Sequence, residues 1–181
     1  EYYKGIFTTL SSCASRQLEE VTFRRATISV PELMATAGKY FRKVYKGNKA
    51  HIDFKIQPLE GRITGDWNQL RFLLENLIEE ACSVTLDGTV CLSAREDGEF
   101  IRFLFTDMRR EKTREELNQL FYPDLSRMTA GEKGELYGTE YLVCKQIIRD
   151  HDEFAGHRGC RINAEPGKEG GFTIYFTLPK K

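Results

Sequence analysis

The sequence predicts an α/β protein, a two-layer sandwich in which a mixed β-sheet carries helices on one face and a further helix precedes it. Three observations predict it. The run Asp66-Trp-Asn-Gln-Leu-Arg-Phe-Leu-Leu-Glu-Asn-Leu-Ile-Glu-Glu-Ala81 places Leu70, Leu73, Leu74, Leu77, Ile78 and Ala81 at helical intervals. Ile52, Phe54 and Ile56 alternate with His51, Asp53 and Lys55, which is the period of a half-buried strand. Two hairpins follow, one turning at Glu96-Asp-Gly98 between Val90–Ala94 and Ile101–Phe105, the other pairing 160–165 with 172–178.

The remaining elements fall into place around these. Tyr3, Ile6, Phe7, Leu10, Cys13, Ala14, Leu18 and Val21 form a helical stripe without an obvious cap over residues 2–23, as though the chain began inside a longer helix. Such a helix either pairs with another chain or packs on its own domain. Thr27 to Val30 reads as a short strand, and Ser29-Val-Pro-Glu32 opens a helix with Pro31 near its first position and Glu32 in its first turn. That helix runs through Leu33, Ala37, Tyr40, Phe41 and Val44 to a stop at Lys46-Gly-Asn48. There are no internal repeats or low-complexity tracts.

Composition narrows the function. Lysine plus arginine equals aspartate plus glutamate at 27 each, so no overall basic field argues for nucleic acid. Cys13, Cys82, Cys91, Cys144 and Cys160 are odd in number, scattered and without a Cys-x-x-Cys pair, which reads as reduced thiols in a cytoplasmic setting rather than zinc ligands or a disulfide framework. No apolar run is long enough to span a bilayer, and any membrane anchor is expected outside this stretch.

Asn76 and Glu80, four residues apart, point to one side of the apolar helix, where an amide and a carboxylate could meet a metal or a phosphate, or could simply be solvated. Asn76-Leu-Ile-Glu-Glu80-Ala81 resembles the N-box of the ATP-binding domain of sensor histidine kinases, the GHKL or Bergerat type, with Glu80 in place of the second asparagine. Companion stretches follow in the family's order. Phe103-Leu-Phe-Thr-Asp107 is similar to the strand that delivers the adenine-binding aspartate, and Leu120-Phe121 resembles the F-box. Gly138-Thr-Glu-Tyr-Leu-Val-Cys-Lys-Gln-Ile147 resembles the second glycine box and its helix, and Gly170 to Pro179 the terminal strand. The resemblance covers about residues 25–179 and divides the chain into 1–24, the end of a dimerisation-type helix, and 25–181, the ATP-binding domain.

The resemblance implies ATP and Mg2+ as cofactors, with Asn76, Glu80, Asp107, Gly138 and Thr139 as nucleotide-binding residues and Glu80 as the metal ligand. It also marks where this chain departs from the pattern. An Asp-x-Gly-x-Gly turn is expected after the adenine-binding aspartate, and here the run is Asp107-Met-Arg109-Arg110-Glu111 with both glycines gone. Glycine there lets the backbone approach the base and adopt positive φ, which costs other residues about 1 kcal/mol or more. Glu140 stands at a glycine position of the second box, where a carboxylate opposes phosphate. Lys133 and Lys145 are the nearest cations that could reach a phosphate, and the favoured reading of each is a solvated side chain.

None of His51, His151 or His157 sits on a free helical stripe, so a phosphoacceptor histidine is expected upstream of residue 1 or not at all. The function expected from the resemblance is a signal-transduction module with an eroded nucleotide site, a pseudokinase or regulatory domain with no catalytic residue. The alternative is an active histidine autokinase domain with atypical MgATP geometry, and a third reading is a serine-directed kinase of the anti-sigma-factor type. The implied partners are the protein's own dimerisation and phosphoacceptor domain or a response regulator, with a homodimer in the full-length protein.

Overall fold

The structure is a computed structural model that describes residues 23–122 and 141–181, together with the backbone of 129–130, 136–137 and 140. The expected helix over residues 2–23 lies, apart from Phe23, outside the described residues.

Strand β1 (Ala26–Ser29) leads into helix α1 (Val30–Tyr45), where the Ser29 hydroxyl caps the helix by accepting from the Glu32 N–H and a proline occupies the first turn. Strands β2 (Ile52–Gln57) and β3 (Arg62–Gly65) follow. Helix α2 (Trp67–Cys82) then starts at Asp66, whose carboxylate accepts from the Gln69 N–H. The long hairpin β4 (Gly88–Asp97) and β5 (Phe100–Asp107) precedes α3 (Arg114–Asn118), a single turn closed by a capping box between Thr113 and Glu116. A small ribbon of β6 (Thr129–Ala130) and β7 (Leu136–Tyr137) leads to α4 (Glu140–Phe154) and a final hairpin, β8 (Ile162–Pro166) with β9 (Phe172–Pro179).

Five strands form one sheet in the order β2-β4-β5-β9-β8, with β2 and β4 parallel and the other pairs antiparallel. β1 and β3 form a separate antiparallel pair, tied to the end of the chain through an Ile63–Lys180 bridge. Strand alternation sends Val90, Leu92, Ile101, Phe103, Phe105, Ile174 and Phe176 to one face, where they meet Leu33, Leu73, Leu77 and Ile147 of the helices in a single core. Phe103 and Phe176, opposite each other in the ladder, stack at 5.0 Å between centroids. The mixed sheet with helices on one face is as the sequence predicts.

Two local features were not evident from the sequence. β3 carries too few residues to show a period in sequence, and its four positions pair with β1 instead of joining the main sheet. His151, which the sequence reading places after the last long helix, lies inside it and is fully buried, because Phe23, Asp66 and the Ile147 carbonyl surround its ring.

Candidate functional site

β5 ends in the core at Asp107, which is 1% exposed, and helix α2 runs past it with Glu80 on the near side. The strand's backbone is fixed on one side by β4 through the Val90 register and on the other by β9 through Phe172. A carboxylate this deep in a core is costly to bury unless every acceptor position is bonded.

Every position is. Oδ1 of Asp107 accepts from the backbone N–H of Arg109 at 3.0 Å and from its Nε at 2.9 Å. Oδ2 accepts from Arg109 Nη2 at 2.8 Å and from Arg110 Nε at 2.9 Å. Those four bonds use the full capacity of an ionised carboxylate. Arg109 in turn spends all its side-chain donors. Besides Asp107, it donates to the carbonyls of Ala81, Val84 and Leu86 at 2.7, 3.1 and 2.9 Å, at the end of α2 and in the loop beyond it. Its side chain is wholly buried. The path for that side chain exists because residue 88 is glycine: a Cβ there would meet Arg109 Cγ at 2.7 Å, and the φ of +141° suits only glycine.

Arg110 closes the other side. Its two terminal nitrogens grip both oxygens of Glu80 at 2.7 Å each, while its Nε bonds Asp107, and its guanidinium lies over the Phe172 ring at 5.2 Å. Two carboxylates and two guanidiniums form one network linking α2 to the end of β5. Burial pushes the Asp107 carboxyl up, but the hydrogen bonds from Arg109 and the charge of Arg110 outweigh it and hold it below the usual carboxylate range. Burial opposes the charge on Arg110, and the hydrogen bonds and charge of Glu80 more than restore it. Tyr141 of α4, 7% exposed, is pushed well up by burial first and by Glu80 second. Its hydroxyl lies near Glu80 without reaching hydrogen-bonding geometry.

The sequence-derived site residues are thus placed as follows. Glu80 and Asp107 come together, but with arginines between and around them. Asn76 Nδ2 donates back to the Phe72 carbonyl of its own helix at 2.8 Å. Gly138 and Thr139 lie outside the described residues, as do Lys133 and the side chain of Glu140. Lys145 stacks over the Tyr122 ring at 4.4 Å. Among the described residues no group of three or more His, Cys, Asp or Glu could hold a metal ion. Cys82, Cys144 and Cys160 are buried, Cys91 is half-buried, and none of the four is in a disulfide, while Cys13 lies outside the described residues. Arg109 and Arg110 are the functional residues that the sequence did not single out as contacts. The available signal was charge, since Arg109 stands where a glycine is expected, Arg110 follows it, and a carboxylate stands where an asparagine is.

A family model described as histidine kinase-, DNA gyrase B- and HSP90-like ATPase matches residues 65–181. The chain belongs to this family of ATPases. A search of curated proteins finds no match. Among solved structures, the Acinetobacter baumannii histidine kinase AdeS superposes with a TM-score of 0.68 at 12% identity, over 96% of this chain and 76% of that one. The catalytic domain of the histidine kinase ThkA, in a nucleotide-free form, gives 0.67 at 19% identity over 87% and 96%. The ATP-binding domain of PrrB from Mycobacterium tuberculosis gives 0.62 at 18% over 87% and 98%. At these identities the shared property is the fold, that of histidine kinase ATP-binding domains.

Domains of this histidine kinase-like ATPase family bind ATP with Mg2+. The described part of the site does not fit that pair in this conformation. Asp107 has no acceptor position left for a base, and Glu80 already holds a cation through both oxygens. Among the described residues no helix is long and apolar enough to cross a membrane.

Proposed function

We propose that this chain is the ATP-binding-type domain of a two-component sensor in which the nucleotide site is closed by its own side chains, so that it works as a regulatory module. One observation carries the reading: all four acceptor positions of Asp107 are taken by N–H groups of Arg109 and Arg110. Adenine recognition would require at least one of them. Glu80, Arg109 and Arg110 then act together, because a carboxylate at 80 is neutralised by the arginine at 110. Arginine in place of glycine at 109, with Arg110 beside it, creates the plug rather than merely stiffening a turn.

Within that reading, residues 1–24 serve as the end of a dimerisation-type helix and 25–181 as the domain it presents, in a homodimeric, cytoplasmic arrangement. Its partner is the protein's own dimerisation and phosphoacceptor region or a response regulator. Calorimetric titration of the chain with ATP and magnesium tests the proposal. The expected result is no saturable binding below about 1 mM. A dissociation constant in the low micromolar range would overturn it in favour of an active autokinase domain.

A further inference from the structure

Arg110 is held differently from Arg109. Arg109 is wholly buried, with every side-chain donor bonded to protein, and so forms part of the core. Arg110 keeps 13% of its side chain exposed and rests in a half-open socket. That socket has three walls. Glu80 supplies two parallel acceptors at 2.7 Å each, Asp107 Oδ2 supplies a third at 2.9 Å, and the Phe172 ring supplies a flat face at 5.2 Å. A bidentate carboxylate combined with an aromatic face matches a planar, delocalised cation with forked N–H donors, and matches neither a compact ammonium nor a metal ion.

Resting on the reading that nucleotide does not occupy this site, we infer that Glu80, Asp107 and Phe172 form a recognition site for guanidinium and amidinium cations, in which Arg110 is the resident ligand. Residue 110 stands three positions after Asp107, so the guanidinium is delivered from the same turn at high effective concentration. The socket is preformed by elements that do not depend on Arg110. Glu80 is on α2, Asp107 is on β5 and Phe172 begins β9 opposite Asp107 in the ladder. Removing the Arg110 side chain therefore leaves a cavity bearing the acceptors of Glu80 and one freed position on Asp107, and a free cation of the same shape fills it. Lys112, whose ammonium also lies over Phe172 at 5.1 Å, rims the socket and disfavours a larger cation from that side.

The test uses the full chain with Arg110→Ala, methylguanidinium as probe and methylammonium as a control of equal charge. Arg110→Ala is expected to melt about 10 °C lower, because it leaves partly buried carboxylate uncompensated. Methylguanidinium at millimolar concentration then raises its melting temperature saturably, and methylammonium at the same ionic strength does not. The parent chain, whose socket is full, and Glu80→Gln/Arg110→Ala, which lacks the bidentate acceptor, show no saturable rise. An unchanged melting temperature in Arg110→Ala, rescue by methylammonium to the same extent, or equal rescue in the double variant overturns the inference. Should Arg110→Ala not fold, Arg110→Gln is refolded with and without methylguanidinium: a higher yield with the cation supports the site, and an equal yield overturns it. Titrating the parent chain with MgATP alongside separates the two readings, since nucleotide binding there sinks the closed-site proposal while the rescue in Arg110→Ala is read independently.

Discussion

Acid should weaken this domain well before its carboxylates protonate, and His151 is the reason. Its Nε2 accepts the backbone N–H of Asp66 at 3.0 Å, and Nδ1 lies 2.8 Å from the Ile147 carbonyl, so the ring is neutral with its proton on Nδ1. The Phe23 ring packs edge-on at 4.8 Å. Burial lowers its pKa from 6.5 to about 4, against the opposing effects of the Ile147 carbonyl and the nearby Asp66 charge. The unfolded chain takes up the proton as pH falls through 6.5, and the folded chain resists until about 4. Stability is therefore fully present above 6.5 and is lost on descending to 4, by about 3 kcal/mol in all. Urea unfolding followed by the fluorescence of Trp67, the single tryptophan and the residue after Asp66, measures this between pH 7.5 and 4.5. The slope should vanish in His151→Leu, whatever that variant costs at neutral pH. Two other groups act outside or against this window. Asp107, with its lowered pKa, contributes stability that is lost only below the ordinary carboxylate range. His157 is exposed and its pKa is raised by the Arg158 carbonyl and Glu99, so it favours the folded state below 6.5 and loses that effect as pH rises. Measuring in a His157→Gln background removes it. Stability that stays flat from pH 7 to 5, or an equal slope in His151→Leu, would refute the reasoning.

Further outcomes follow from the same contacts. Asp107→Asn leaves two buried guanidiniums short of a counter-charge and should cost roughly 3–5 kcal/mol in urea unfolding. Gly171→Ala should cost about 2 kcal/mol or more, since φ is +71° and a Cβ would sit 2.0 Å from the Asp107 carbonyl oxygen, as read from thermal unfolding. Leu73→Ala, at a fully buried position of α2, should cost roughly 2–5 kcal/mol by the same measurement. Arg109→Gly/Arg110→Gly/Glu80→Asn frees Asp107 and removes the charge on α2, and calorimetry should show MgATP affinity rising about tenfold or more over the parent chain.

The parts of the fold legible in the sequence are those with a long period. Sixteen residues of α2 show a full apolar stripe, and the β4–β5 hairpin alternates over most of its length. The five-residue α3 and four-residue β3 are too short to carry a period, and their positions are set by a capping box and by pairing with β1. At the site, the sequence showed Asp107 and Glu80 as candidates and the lost glycines as a backbone problem. The answer lay in side chains whose partners are distant: Arg110 meets Glu80 thirty positions away, and Arg109 reaches back to Ala81, Val84 and Leu86. Local pattern does not encode which of several exposed-looking arginines turns inward.

The position of β9 sets the order of assembly. It is inserted between β5 and β8, so both flanks of the sheet wait for residues 172–179 before they can join. During synthesis, residues 26–107 emerge before β9, with β5 an open edge and Asp107 at its end, paired on one side only. That nascent sheet offers a row of unsatisfied backbone groups for as long as the ribosome takes to add some seventy more residues, roughly 4–14 s at ordinary elongation rates. Arg109 and Arg110 follow directly after that stretch and can neutralise Asp107 and Glu80 once α2 and β5 meet. The charge pairs are thereby available before the Gly171 turn and β9 reach the end of β5.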